Sequence, residues 1–392
     1  MQPLYFCKFA SPVKGEGARI LIVTAGYGDG HNSAARGLAS ALEGKAEVEV
    51  ADPCAVGAPK LNQGLRHGYR VLTTRSPLLW DWFYRGTERR DFTKEKFEFM
   101  RKPEVALAKT IAEYQPEAVV TTYPLYPYFL GRLRERGEWE GKVFTVVTDS
   151  IEINNAWLQA PTDYWMVTDG HTRKVMLDAG LPGGKVVETG FPVNPIFQRL
   201  EPLRDRDGVE PFKVLYFATA RKPQIHGVGR PVLEQQNTKL TIILGRNFRR
   251  LYRSAQRLSR KYPGRVRVLG WSRRIPQYLC SHHLAIGKAG GATTHECIAA
   301  CTPMLIHHLV PGQEEGNLEL LRRIGGGDLA DSPQRLRARL ASLLANEGAE
   351  WKRWKQNLAK CSRPHSAATA AHFVLNQLEK EPEPEICESS PH

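Results

Sequence analysis

The sequence has no run approaching the roughly twenty apolar residues that a membrane-spanning helix needs. Its first residues, MQPLYFCKFASPVKGEGAR, hold no long apolar core, so no secretory leader is expected and the chain is read as cytoplasmic. The seven cysteines (Cys7, Cys54, Cys280, Cys297, Cys301, Cys361 and Cys387) are scattered and odd in number, which argues against a disulfide framework. Cys297 and Cys301 stand one helical turn apart, yet no second pair with ligand spacing accompanies them. Buried thiols, and no metal site, are the expectation. No internal repeat is visible. From Gln235 to His295 there is not a single carboxylate. Arg249, Arg250, Arg253, Arg257, Arg260, Lys261, Arg265, Arg267, Arg273 and Arg274 all lie within that stretch.

What is present suits two globular domains. The chain has 392 residues, 42% apolar and 24% charged. A formal charge of +14 calls for an anionic partner: nucleotide phosphates, a membrane surface or nucleic acid. No nucleic-acid module appears, so no nucleic-acid partner is expected and anionic lipid headgroups are the preferred reading of the basic stretch. The polar segment Glu201–Pro211 divides the chain into 1–205 and 206–380, with 381–392 as a disordered tail. Arg19–Thr24 reads as a buried strand, followed by a glycine turn and a helix capped by Asn32 or Ser33 and running to Leu42. Val48–Ala51 is the next strand, which completes a Rossmann-type unit. The turn is G-x-G-x-G followed by histidine, not the G-x-G-x-x-G of a dinucleotide site. Ala118–Thr122 and Val143–Thr148 are further strands. Trp80, Trp82 and Phe83 sit among Arg66, Arg70, Arg75, Arg85, Arg89 and Arg90. Such a segment suits either an interfacial membrane surface or plain core.

The second half is organised by Leu284–Glu319. Leu284–Gly287 reads as a buried strand, Lys288-Ala289-Gly290-Gly291 as a turn, and Thr293–Cys301 as a helix stopped before Pro303. Met304–Ile306 is another strand, and Gln313-Glu314-Glu315-Gly316-Asn317 opens the next helix. Gly290 and Gly291 let an oxyanion approach backbone N–H groups, the helix end adds partial positive charge, and Lys288 adds a full one. Two roles are open for Glu296: acceptor for a ribose diol, or partner of Thr293 in a capping box. Gln313, Glu314 and Glu315 suit hexose hydroxyls or an ordinary acidic helix start. Helices at Pro333–Ala345, Glu350–Leu358 and Ala367–Glu379 follow, the last expected to cross back to the first domain.

KAGGATTHE followed by PMLIHHLVPGQEEGN resembles the donor-binding half of the glycosyltransferases that include monogalactosyldiacylglycerol synthase, processive diacylglycerol glucosyltransferase and the lipid-linked transferase of peptidoglycan synthesis. The resemblance covers roughly Arg19 to Leu321. It implies an α/β GT-B fold, two Rossmann-like domains facing a cleft. It further implies a UDP-sugar donor in the second domain, a lipid acceptor in the first, and neither metal nor separate cofactor. Glu296 would take the ribose, Gly290, Gly291, Ala292 and Thr293 the diphosphate with Lys288 nearby, and Gln313 and Glu314 the sugar. Gly245-Arg246-Asn247 is similar to the family's Gly-x-Asn, and the Gly270-Trp271 backbone would meet the uracil.

TAGYGDGHNSAA resembles the family's glycine-rich acceptor loop. Gly28 and Gly30 would face the cleft, and His31 would serve near the acceptor hydroxyl; simple packing or capping also fits it. Asp149 would orient His31, bind acceptor or cap its loop. Trp80, Trp82, Phe83 and Trp157 would lie on the acceptor and membrane side. The implied activity is inverting transfer of a hexose to a membrane lipid such as diacylglycerol, by a protein peripheral on the inner membrane face. A non-catalytic or epimerase-type UDP-sugar-binding protein is the alternative. Two segments depart from the family. Asn154-Asn155-Ala156-Trp157 lacks a histidine before the tryptophan. Thr219–Gly229 lacks a glycine-rich phosphate loop, and Arg221 and Lys222 would replace its backbone donors.

Overall fold

Buried apolar strands alternate with amphipathic helices along most of the chain, which dictates parallel sheets covered on both faces. The computed structural model describes residues 7–8, 17–75, 86, 91–92, 100–204, 208–219, 221–310, 312 and 314–379. Trp80, Trp82, Phe83, Gln313 and the tail 381–392 lie outside the described residues.

The first half runs β1 (Cys7–Lys8), β2 (Arg19–Val23), α1 (Asp29–Leu42), β3 (Glu47–Ala51), α2 (Pro53–Gly57), α3 (Pro59–Arg75) and α4 (Arg101–Tyr114). It continues with β4 (Ala118–Thr121), α5 (Tyr126–Glu135), β5 (Lys142–Val146), α6 (Asn155–Leu158), β6 (Tyr164–Val167), α7 (Gly170–Asp178) and β7 (Val186–Glu188). The second half runs β8 (Phe212–Phe217), α8 (Lys222–Glu234), β9 (Thr238–Ile243), α9 (Phe248–Lys261), β10 (Val266–Leu269) and α10 (Ile275–Ser281). Then come β11 (Leu284–Lys288), α11 (Gly291–Ala299), β12 (Met304–His308), α12 (Glu315–Ile324), β13 (Gly327–Leu329), α13 (Pro333–Cys361, two helical stretches either side of a break at Ala345, Asn346, Glu347 and Gly348, as the sequence suggested) and α14 (Ser366–Glu379).

The first sheet has the order β1-β3-β2-β4-β5-β6-β7 and is parallel apart from the β1 edge. The second has the order β10-β9-β8-β11-β12-β13 and is wholly parallel. Strand order reverses between β2 and β4 in one and between β8 and β11 in the other. Such reversals open crevices at the carboxyl ends of the strands, where α/β folds bind ligands. The expected GT-B arrangement is thereby met.

The last helix, α14, returns to the first domain and packs on α1. Phe373 meets Phe144 and Tyr164 edge-on, and the Tyr164 hydroxyl donates to Gln377 Oε1 at 2.9 Å. One apolar cluster runs from Ile20 and Leu38 through Val374 and Cys297 to Leu215 and Ile306. The two sheets are thus joined through core rather than through a linker alone.

Several boundaries differ from those read in the sequence. Helix α1 starts at Asp29 with Gly28 at its N-cap, so neither Asn32 nor Ser33 caps it. Asn32 Oδ1 instead accepts the Thr24 hydroxyl at 3.1 Å. Helix α11 starts at Gly291 with Gly290 as N-cap, which puts Thr293 inside the first turn and rules out the capping box. Residues 222–229 are not a loop but the start of α8. Pro223 costs nothing there, because first-turn N–H groups have no intrahelical partner. Gly229 makes room for Leu258: an added Cβ would lie 2.2 Å from Leu258 Cδ2.

Candidate active site

The first crevice, at the carboxyl ends of β4 and β5, is built around His31. As a first-turn residue of α1 it projects beside the end of β4, and its side chain is buried. Nδ1 lies 3.1 Å from Thr148 Oγ1 at the end of β5. The ring meets Tyr123 edge-on at 5.3 Å and stands 6.2 Å from Trp157. Burial pushes the imidazole down to about 4, against a hydrogen bond to the Thr122 backbone that favours the charged form. His31 is therefore neutral near pH 7.

Asp149 does not pair with His31. Its carboxylate accepts the Trp157 indole N–H at 2.8 Å, and burial pushes it up to about 6. Thr148 is the orienting neighbour that the sequence does not announce. Trp157, placed among the lipid-facing rings by the family resemblance, is only 1% exposed and forms the floor of the crevice. Gly28 and Gly30 line its open side: a Cβ at either would meet nothing within 4 Å.

The second crevice opens at the end of β11. The N–H groups of Gly291, Ala292 and Thr293 occupy the first turn of α11 and have no intrahelical acceptor. The Gly290 N–H is already used, donating to Lys288 O at 2.9 Å. Lys288 is also engaged, its ammonium 2.6 Å from Glu314 Oε1. Glu314 is 4% exposed, and its other oxygen accepts the Val310 N–H at 3.1 Å. Asn317 Nδ2 donates to Ala289 O at 3.0 Å and so ties α12 to the glycine turn. Glu296 is pushed up to about 7 by burial, opposed by Arg36 of α1. On the far side, Gly245 and Asn247 lie in a short 3-10 turn before α9, and Gly270 packs under Phe248. Trp271 is 53% exposed, with the Arg273 guanidinium 5.7 Å from its ring.

The two crevices face each other at close range. Arg36 of α1 lies opposite Glu296 of α11, and Arg246 reaches Asp29 at 3.6 Å. The backbone after β5 is the contact line. A Cβ on Gly291 would lie 2.7 Å from Thr148 O, and one on Gly316 would lie 1.9 Å from Ser150 O. Ser150 Oγ is 3.0 Å from His295 Nε2, and Phe191 stacks on that imidazole at 5.1 Å. The arrangement holds a neutral imidazole on one wall and an anion-attracting helix end on the other, so it can accept a proton on one side and stabilise an anion on the other.

Comparison with known proteins bears on this geometry. The family model for monogalactosyldiacylglycerol (MGDG) synthase matches residues 31–193. The processive diacylglycerol beta-glucosyltransferase of Bacillus subtilis is 24% identical over 374 residues, covering 92% of this chain and 96% of that protein. Its Bacillus cereus counterpart is 23% identical, covering 93% and 95%. Among solved structures, Acinetobacter baumannii MurG superposes with a TM-score of 0.62 at 14% identity, covering 92% of this chain and 99% of that one. A Polygonum tinctorium UDP-glucosyltransferase gives 0.60 at 12% identity, covering 94% and 100%. The chain has the GT-B fold, and its sequence is similar to monogalactosyldiacylglycerol synthase and the processive diacylglycerol glucosyltransferases.

Proposed function

We propose that this protein is an inverting glycosyltransferase that moves a hexose from a UDP-sugar to the hydroxyl of a membrane lipid such as diacylglycerol. The observation that carries the reading is that a single helix of the first domain, α1, holds His31 in one crevice and sets Arg36 against Glu296 in the other. The acceptor oxygen attacks the anomeric carbon from the face opposite the phosphate. Its proton passes to the neutral His31, and the bond from the anomeric carbon to the phosphate oxygen breaks with its electron pair leaving on UDP. An anionic donor in the cleft favours imidazolium, so donor binding raises the basicity that burial depresses. The unpaired N–H groups at the start of α11 stabilise the departing diphosphate. Asp149 stays near as a second acidic group, while Glu296 and Glu314 serve ribose and sugar.

The similarity to diacylglycerol glucosyltransferases supports a lipid acceptor, and the basic face of α9 is the surface we assign to the membrane. Arg249, Arg250, Arg253, Arg257 and Arg260 are exposed, and no residue from 235 to 295 offsets them. In this reading that face meets anionic headgroups, at the cytoplasmic side of a membrane. The test supplies labelled UDP-galactose, UDP-glucose and UDP-N-acetylglucosamine with vesicles of extracted lipid. A lipid-soluble labelled product forms with a hexose donor and vanishes in His31→Ala and Glu296→Ala. Equal water-soluble product without vesicles would sink the lipid acceptor.

A further inference from the structure

The connection after β8 carries no phosphate-binding glycines, since Gly227 and Gly229 lie inside α8. Yet β8 and β11 flank the reversal of strand order, where a diphosphate would sit. Basic side chains reach that point from three neighbouring strands. Arg221 follows β8, Lys288 ends β11, and His308 ends β12. Lys288 and His308 are register partners across the ladder.

Lys288 is already balanced by the buried Glu314 carboxylate. Arg221 adds a further guanidinium to the cluster, with His308 half-buried beside it. A nucleotide-linked diphosphate brings more negative charge than one guanidinium offsets.

We propose that Arg221 and His308 hold the donor's diphosphate in place of a glycine loop, and that His308 takes up a proton as the nucleotide binds. This rests on the UDP-sugar reading above. Burial and the charges of Arg221 and Lys288 hold the imidazole below its usual range, with Glu314 pulling the other way. The neighbouring His307 faces Tyr216 in the core and is held near 4 by burial, so it stays neutral. An incoming phosphate reverses the balance at His308. The protonated ring then donates a charge-assisted hydrogen bond to the oxygen that leaves with UDP.

Titration calorimetry with UDP and with uridine, near neutral pH and in two buffers of different ionisation enthalpy, tests this. The wild type takes up protons with UDP and not with uridine. His308→Gln weakens UDP by about tenfold, shrinks the uptake and leaves uridine unchanged. Arg221→Met weakens UDP alike and shrinks the uptake, because His308 is then more often protonated beforehand. Wild-type UDP affinity in both variants, or unchanged uptake in His308→Gln, overturns the inference and leaves the donor site standing. Equal loss of uridine and UDP in both variants overturns it as well. A wild type that binds neither nucleotide overturns the donor reading and this inference together.

Discussion

Glu296 keeps an acid proton near neutrality because its carboxyl is shut from water more completely than Arg36 compensates. In the unfolded chain that carboxyl titrates near its usual 4.5. Between there and about 7 the folded protein holds a proton that the unfolded chain has lost. Stability therefore falls as pH rises across that window, and the deficit is complete above it. A glutamine in the same place has no charge to bury. Glu296→Gln should raise the thermal midpoint by a few degrees on the alkaline side of neutrality and match the wild type in mild acid. Equal midpoints at both would show that the carboxyl is not desolvated as described. A residue that costs stability in the resting protein is the kind retained for a ligand, which in the proposed function is the ribose diol of the donor.

At the scale of elements, the donor helix and the next one lean on the same piece of the first domain. Helix α12 enters at Glu315-Gly316, and Gly316 rides against the Ser150 carbonyl. Helix propensity alone favours alanine at such a position by roughly 1 kcal/mol. The contact outweighs it, because a methyl group cannot share space with a backbone oxygen 1.9 Å away. Gly316→Ala should leave uridine affinity intact while transfer falls on the order of a hundredfold, the cost of reacting groups displaced by about an ångström. Full transfer activity in that variant would show that the crevices need not close this tightly.

The same elements show what a sequence reveals. The strands β2, β11 and β12 and the glycine turn between β11 and α11 were legible, because apolar runs cut by glycine have few other solutions. The starts of α1 and α11 were not. Both are capped by glycine without a side-chain bond, and the polar residues that imitate caps, Asn32, Ser33 and Thr293, lie one turn further in. The His31–Thr148 pair spans 117 residues and leaves no local mark. The glycines of α8 looked like a loop because nothing nearby announces that Leu258 will need the space.

The whole molecule carries +14, and its distribution matters more than its size. Arg253, Arg257 and Arg260 share the outer face of α9, about a turn apart, while Leu251, Ala255 and Leu258 hold the inner face in the core. Exposed Phe248 and Tyr252 stack at 4.8 Å at one end of that helix. Among the described residues no helix is long and apolar enough to cross a membrane. Each basic side chain near an anionic bilayer contributes roughly 1 kcal/mol, and the attraction fades beyond a Debye length of about 8 Å at physiological salt. Reversing Arg253, Arg257 and Arg260 to glutamate should therefore cut binding to phosphatidylglycerol-containing vesicles on the order of a hundredfold or more, in a sedimentation assay. Binding of the wild type should weaken steeply as salt rises and be slight on neutral vesicles. UDP affinity should survive, since these residues lie in the later turns of α9, beyond its Gly245–Asn247 end. If the triple variant sediments with anionic vesicles as the wild type does, α9 is a solvated face and the lipid surface is met elsewhere.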